Sequence, residues 1–548
     1  MLVNSGPGAI SARTRRFPTT RSGLLLPAAL LLAVASPFLV GAGHALLAGQ
    51  PTAFLGDQAL TELDTRDALA GRQVVGLYSR FGWAHPGPAW LYLLAGPYQL
   101  AGRTAAALTA AVMLVHLLAA LALVVAASRP LTGGRSRLVL VLSVVGVLAF
   151  VAAAPPMTFT SVWNPFALLL PTALFVVLAG QAAAGSGPAL AWAFVTGSAL
   201  VQTHLGTAPL VAGLALLATL PTVLRAARRR PLRWWPRRPP RPGVLVPLLL
   251  LAAMWLPPLV EQVRGPQHNL SRLVLFFLAP AEGGHSWGEA ADVVSRALVA
   301  YPLLRPLPYQ PAQSTPGPLA AAFLGAYLSA AAALVLWGRR RHLPAVTASG
   351  AANLLAPLVA VLAVRRIDGP VYSYLVTWVS ALPLALFLGY AAAAAAVVAG
   401  PLTGHLAWGV RRRRALAAVA LTGVLGLVGW DLVALYQLPP SAYGSRSASE
   451  LALAALPPAR PGAVVGVDLV NATDWQVAAG LAAQLERAGW RVRVPPDLRG
   501  IFGADRVETG HPPLTLFVGP ANRTPPAPAR LLGVVPSELG PTAVYLRN

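Results

Sequence analysis

Leu-, Ala- and Val-rich stretches of about 20 residues recur along most of this chain, and nothing else in the sequence restricts its fold as strongly. A helix of that length crosses about 30 Å of hydrocarbon. Charged residues make up 11% and hydrophobic ones 56%, with a mean hydropathy of +0.62, whereas an ordinary soluble domain is about one-quarter charged. A soluble enzyme, a disordered chain and a disulfide scaffold are therefore excluded. The chain has no cysteine, so it offers neither a thiolate ligand nor a thiol nucleophile.

The apolar runs read as eleven spans, at 24–47, 104–127, 138–154, 165–184, 188–202, 207–224, 243–260, 318–337, 344–363, 372–398 and 415–437. The expected fold is mainly α: a polytopic membrane protein of about 11 helices with a small α/β domain after them. Its parts are a tail at 1–23, a membrane domain at 24–438 and a C-terminal domain at 439–548. Arg followed by an apolar run resembles a signal peptide, but the 24–47 stretch exceeds a signal-peptide core and no small-residue cleavage site stands out, so it reads as a retained first span.

The formal charge of +24 invites a nucleic-acid reading until its distribution is followed. With the N-terminus placed in the cytoplasm, the cytoplasmic segments carry 22 arginines and no acid. The 18 acids lie in outside segments or near outer span ends. That is the positive-inside pattern, and it also attracts anionic lipid heads. The basic segments have few interleaved stacking residues beyond Trp234 and Trp235, so no nucleic-acid partner is expected. All the basic residues are Arg, which with the Ala, Gly and Pro usage fits a GC-rich bacterial genome.

Three outside segments are large: 48–103, 261–317 and everything after 440. In the last, AVVGVDLV, RVRV, TLFVG and TAVYLR read as strands, and DWQVAAGLAAQLERAGW as an amphipathic helix. It carries no Gly-rich phosphate fingerprint, and a packing or gating cap is its expected role.

Asp57, Glu62, Asp64 and Asp67 crowd directly after the first span in a chain poor in acids. If GDQALTELDTRDALAGR is helical, Asp57 and Asp64 share a face, Glu62 and Arg66 form an i,i+4 pair, and Gly71 ends the helix. A solvated amphipathic helix on the membrane surface accounts for these residues equally well. The following stretch, YSRFGWAHPGPAWLYLLA, sets Tyr78, Arg80, Trp83, His85 and Trp90 around two prolines. Aromatic faces cover a sugar or a polyprenyl stem, and Arg pairs with phosphate. Three further polar clusters open to the same side: Trp163 and Asn164; Gln202, Thr203 and His204; and Arg365, Arg366, Asp368, Tyr372 and Tyr374. Polar groups at membrane depth are costly unless they face protein or a cavity. One shared outward cavity is the economical arrangement.

The first outside segment resembles that of the GT-C membrane glycosyltransferases, in particular the lipid A aminoarabinose transferases and protein O-mannosyltransferases. In those families an acidic pair opens a helix after the first span. A Leu-x-x-Gly-like end, a Lys-Pro-Pro-like turn and an aromatic-rich segment follow. Here the run is Asp57-Gln58, TRDALAGR, His85-Pro86-Gly87-Pro88, WLYLLA and Leu100-Ala101-Gly102. Gln58 replaces the second acid, and His85 stands where those relatives tend to have Lys.

The resemblance implies sugar transfer from a polyprenyl-phosphate donor to a glycan, lipid or protein acceptor on the outer face of the plasma membrane. Asp57 would be the general base, with Glu62 or Asp64 supplying the missing carboxylate. Arg80, Arg365 or Arg366, with His85, would meet the donor phosphate, and Trp163, Asn164, His204, Asp368 and Tyr372 would complete the binding site. No nucleotide or other cofactor is required. Asp57, Asp64 and His85 are acceptable metal ligands, but their spacing does not support a divalent metal site. Two other readings stay open: a transporter or flippase using Asp57 or Asp368 as coupling carboxylate, and a non-catalytic envelope-assembly protein, for which Gln58 speaks.

Overall fold

The computed structural model describes residues 22–48, 53–129, 133–228, 242–279, 283–301, 318–398, 410–437, 442–510, 512–525 and 528–548. Most of the Arg-rich tail, Trp234 and Trp235, and residues 302–317 of the second outside segment lie outside the described residues. Every expected span is helical. Nine helices among the described residues are long and apolar enough to cross a membrane: Leu25–Leu47, Ala105–Ser128, Arg135–Ala153, Phe166–Ala183, Val244–Arg264, Pro318–Arg340, Pro344–Arg365, Ser373–Val397 and Ala418–Tyr436. The other two expected spans differ. Gly187–Thr203 has only 17 residues, and the apolar part of Ala208–Arg228 ends at Pro221. Nine of the eleven expected spans thus meet that length among the described residues.

The bundle is held by its small residues. In Pro344–Arg365, a Cβ at Gly350 would lie 2.7 Å from the Val335 backbone nitrogen, so only glycine lets this helix approach Pro318–Arg340 so closely. Such small-residue contacts replace the hydrophobic drive that is missing between helices in lipid. Val244–Arg264 keeps Leu248, Leu249 and Leu256 exposed, as a lipid-facing helix does. The chain is an integral membrane protein.

After the first helix, α1 (Ser22–Leu47), the chain makes α2 (Asp57–Leu69), then α3 (Ala89–Leu100), and re-enters the bundle as α4 (Ala105–Ser128). Gly71 takes φ 70°, and the Arg72 amide donates to the Asp67 carbonyl, which closes α2 where expected.

The C-terminal sheet has five strands in the order β2-β1-β3-β5-β4. β1 (Val464–Leu469) lies parallel to β2 (Arg491–Arg493) and β3 (Thr515–Pro520), and β5 (Thr542–Arg547) runs antiparallel to β3 and to β4 (Arg530–Val535). The helix Trp475–Arg487 packs on β1 and β2, and also on α2. Leu60 and Leu63 of α2, Trp90 and Tyr98 of α3, and Val477, Leu481 and Leu485 of that helix belong to one buried apolar cluster. The expected cap therefore shares a core with the first outside segment.

Candidate active site

Asp57 opens α2, where the free amides of the first turn favour a carboxylate. Its position is fixed from both sides. The Tyr78 hydroxyl donates to Oδ1 at 2.8 Å, and the Trp163 indole N–H donates to Oδ2 at 2.9 Å. Burial pushes the Asp57 carboxyl above the ordinary aspartate range, and the two donors pull it back. A carboxylate with a raised pKa, held by two neutral donors and, among the described residues, by no cation, is suited to accept a proton.

Tyr78 sits in a tight hairpin. Ser79 N–H donates to Trp83 O, His85 N–H to Leu77 O, and Gly76 N–H to His85 O. Asn269 brackets the same turn, accepting from the Ala84 amide and donating to its carbonyl. At the hairpin's foot a Cβ on Gly87 would fall 2.4 Å from the Gln202 side chain. That close approach brings the hairpin against the end of Gly187–Thr203 and sets the His85 and His204 rings 4.9 Å apart.

Both imidazoles are neutral. Burial, with His204 beside it, holds His85 well below the usual histidine range, and burial brings His204 down to about 4. His85 Nδ1 accepts from the Leu205 amide, and His204 Nδ1 from the Gly206 amide. Each ring thus keeps its proton on Nε2 and acts as a neutral donor. The positive charge expected of His85 is absent, and the cavity's cations are arginines.

Asp57, Arg80, His85, Trp163, Asn164, His204, Arg366 and Asp368 all line one cavity of about 310 Å³. They come from four stretches separated by up to about 300 residues, as one shared cavity requires. Asn164 is held there by donating to the Thr203 carbonyl at 2.8 Å. Arg80 donates to the carbonyls of Asp368 and Pro370, and Arg366 to those of Phe277 and Ala279. Neither forms an ion pair among the described residues. Two guanidinium charges are therefore fixed in place yet unneutralised. The apolar walls include Phe276 and Phe277, residues that sequence reasoning missed because their helix reads as an ordinary amphipathic segment.

Four expected residues sit elsewhere. Arg365 stacks over the Trp287 ring at 4.0 Å and donates to His285 O, away from the cavity. Tyr372 does not line the cavity but stacks on Tyr374 and carries Arg80 over its ring at 4.6 Å. Glu62 is fully buried and pairs with Arg487 and Tyr98 in place of the expected Arg66. Asp64 faces Arg506 at 4.0 Å. Burial raises the Asp64 carboxyl to about 8 against the pull of Arg506. Glu62 and Asp64 thus join α2 to the C-terminal domain and do not supply a second cavity carboxylate. The trio Asp57, Asp64 and His85 is not assembled. No group of three or more His, Cys, Asp or Glu placed to hold a metal occurs among the described residues.

No family model matches the chain, and no curated protein matches it by sequence. Among solved structures it is similar to ArnT from Cupriavidus metallidurans bound to undecaprenyl phosphate, at 16% identity and a TM-score of 0.53, covering 96% of this chain and 98% of that one. The fold is the ArnT-like GT-C fold. The apo form of the same ArnT aligns at 15% identity over 95% of this chain and 97% of that one, with a TM-score of 0.49. The Archaeoglobus fulgidus oligosaccharyltransferase aligns at 12% identity over 84% of this chain and 63% of its own, with a TM-score of 0.40. Near end-to-end coverage by the first ArnT extends the fold likeness through the C-terminal domain.

Proposed function

We propose that this chain is a membrane glycosyltransferase that moves a sugar from a polyprenyl-phosphate donor to a cell-envelope acceptor outside the cytoplasm. One observation carries the reading: a doubly anchored, cation-free carboxylate, Asp57, shares a single cavity with two unneutralised arginines, Arg80 and Arg366. The ArnT-like fold supports it, since the similar ArnT holds undecaprenyl phosphate.

In this mechanism the acceptor hydroxyl attacks the anomeric carbon while its proton passes to Asp57. The bond between the anomeric carbon and the donor phosphate oxygen breaks, and its electron pair stays on the lipid phosphate. Arg80 and Arg366 stabilise that charge, and the Nε2–H groups of His85 and His204 supply neutral donors. The proton on Asp57 is then released to solvent. Trp163, Asn164 and Asp368 shape the sugar subsite, and Tyr372 supports it through Tyr374 and Arg80. No cofactor enters the scheme. The N-terminus lies in the cytoplasm and the C-terminal domain outside.

The test is Asp57→Asn, which keeps the shape and removes the proton acceptor. Transfer from a polyprenyl-phosphate sugar by the purified protein is expected to fall by about 10²–10⁴, with donor binding retained. A variant that transfers at the wild-type rate overturns the assignment.

A further inference from the structure

A second cavity, of about 730 Å³, opens at the other end of α2, between its last turns and the C-terminal domain. Its walls carry six arginines against three acids, Asp67, Glu486 and Asp505. Ion pairs account for part of this charge. Arg506 lies 2.7 Å from Asp67 and 2.9 Å from Glu486. Arg66 lies 3.6 Å from Glu486, and Arg72 pairs with Asp67 and, at 3.5 Å, with Asp505.

The other three, Arg103, Arg491 and Arg493, meet no carboxylate among the described residues. Arg103 donates to the Gln99 amide oxygen and Arg493 to the Asp505 backbone carbonyl. Arg103 takes φ 58°, a left-handed conformation uncommon for a residue with a side chain. Arg103 and Arg491 are exposed, so nothing among the described residues covers their charge. Like charges on converging walls repel one another, and a ligand bearing several negative charges relieves that repulsion.

The geometry points to a docking groove for a polyanionic glycan, whose phosphate or carboxylate groups are held by Arg103, Arg491 and Arg493. Resting on the transferase reading, we identify this glycan as the acceptor. Asp57 and the groove sit at opposite ends of α2, about 18 Å apart at 1.5 Å per residue. An acceptor that engages both is an oligomer, not a single sugar.

The probe is fluorescent inorganic polyphosphate, titrated against the full-length protein in phosphatidylcholine nanodiscs, with neutral dextran as control. Wild type is expected to bind polyphosphate in a salt-sensitive way and to ignore dextran. The triple variant Arg103→Gln, Arg491→Gln, Arg493→Gln is expected to bind about tenfold or more weakly. Asp57→Asn binds polyphosphate like wild type, so failure of the transferase reading does not by itself remove the groove. Equal binding by wild type and the triple variant overturns the proposal. So does loss of polyphosphate binding when phosphatidylglycerol is added to the nanodiscs, because the groove then reads lipid headgroups. For the acceptor role, the triple variant raises the acceptor KM and leaves kcat unchanged; a fall in kcat with KM unchanged overturns that role.

Discussion

Replacing Tyr78 with Phe removes one atom, the hydroxyl that donates to Asp57 at 2.8 Å. The ring stays, and with it the edge-on contact to Trp475 at 5.8 Å between centroids. A hydrogen bond to a charged group is worth about 1.5–3 kcal/mol. That bond favours the ionised carboxylate over the protonated one, and one pKa unit corresponds to about 1.36 kcal/mol. Loss of the donor therefore raises the Asp57 pKa by about 1–2 units. The starting value is already above the ordinary aspartate range, because burial outweighs the two donors. A general base works only when ionised, so activity falls as pH drops through its pKa. In Tyr78→Phe the acid limb of kcat/KM against pH is expected to move upward by about 1–2 units with the high-pH plateau retained. Trp163→Phe, which removes the second donor at 2.9 Å, is expected to move it in the same direction. The assay is transfer from a polyprenyl-phosphate sugar across a pH series. If the limb stays at the wild-type position in both variants, the titrating group is not Asp57 and the general-base argument fails.

Arg366→Ala and Arg80→Ala are each expected to weaken donor binding about tenfold, the loss of one charge-assisted contact to phosphate; wild-type affinity for lipid-linked donor in both removes them from the phosphate site. Arg487→Ala strands the buried Glu62 carboxylate and is expected to cost about 3–5 kcal/mol of stability, whereas exchanging both partners for leucine costs less; thermal unfolding in detergent compares the two. Reporter fusions at residues 290 and 500 are expected on the outer face and one at 230 on the inner face. A cytoplasmic signal at 500 contradicts the proposed orientation.

Hydropathy made the bundle legible, because a lipid-spanning helix must satisfy its own backbone and must therefore be long and apolar. The cavity was legible for a related reason: Asp57, His85, Asn164, His204 and Arg366 are polar groups in expensive places, all near span ends expected to lie on one side. The ion pairs were not legible. The sequence places Arg66 one turn from Glu62, a normal helical pair, but the structure pairs Glu62 with Arg487, 425 residues away. Burial of Glu62 decides this, since a dry carboxylate needs a bidentate partner. Nothing local marks Arg487 or Arg506 as that kind of residue. β4 escaped for another reason. It is an edge strand with an irregularity between Leu531 and Gly533, so its side chains do not alternate cleanly.

The long-range pairs change what the C-terminal domain does. α2 carries Asp57 at its first residue, while Glu62 and Asp67 along its body are bound by Arg487 and Arg506. The segment before Asp57 is tied to the same domain: the Gly56 amide donates to the Gln476 carbonyl at 3.0 Å. Beside it, Trp475 rests edge-on against Tyr78, the residue that holds the Asp57 carboxylate. One turn of the Trp475–Arg487 helix thus braces both the backbone that enters α2 at Asp57 and the donor to its carboxylate. A misplacement of about 1 Å far from the chemistry is enough to cost an enzyme about 10²-fold. The domain expected to be a cap is, by its contacts, the frame against which Asp57 is aligned.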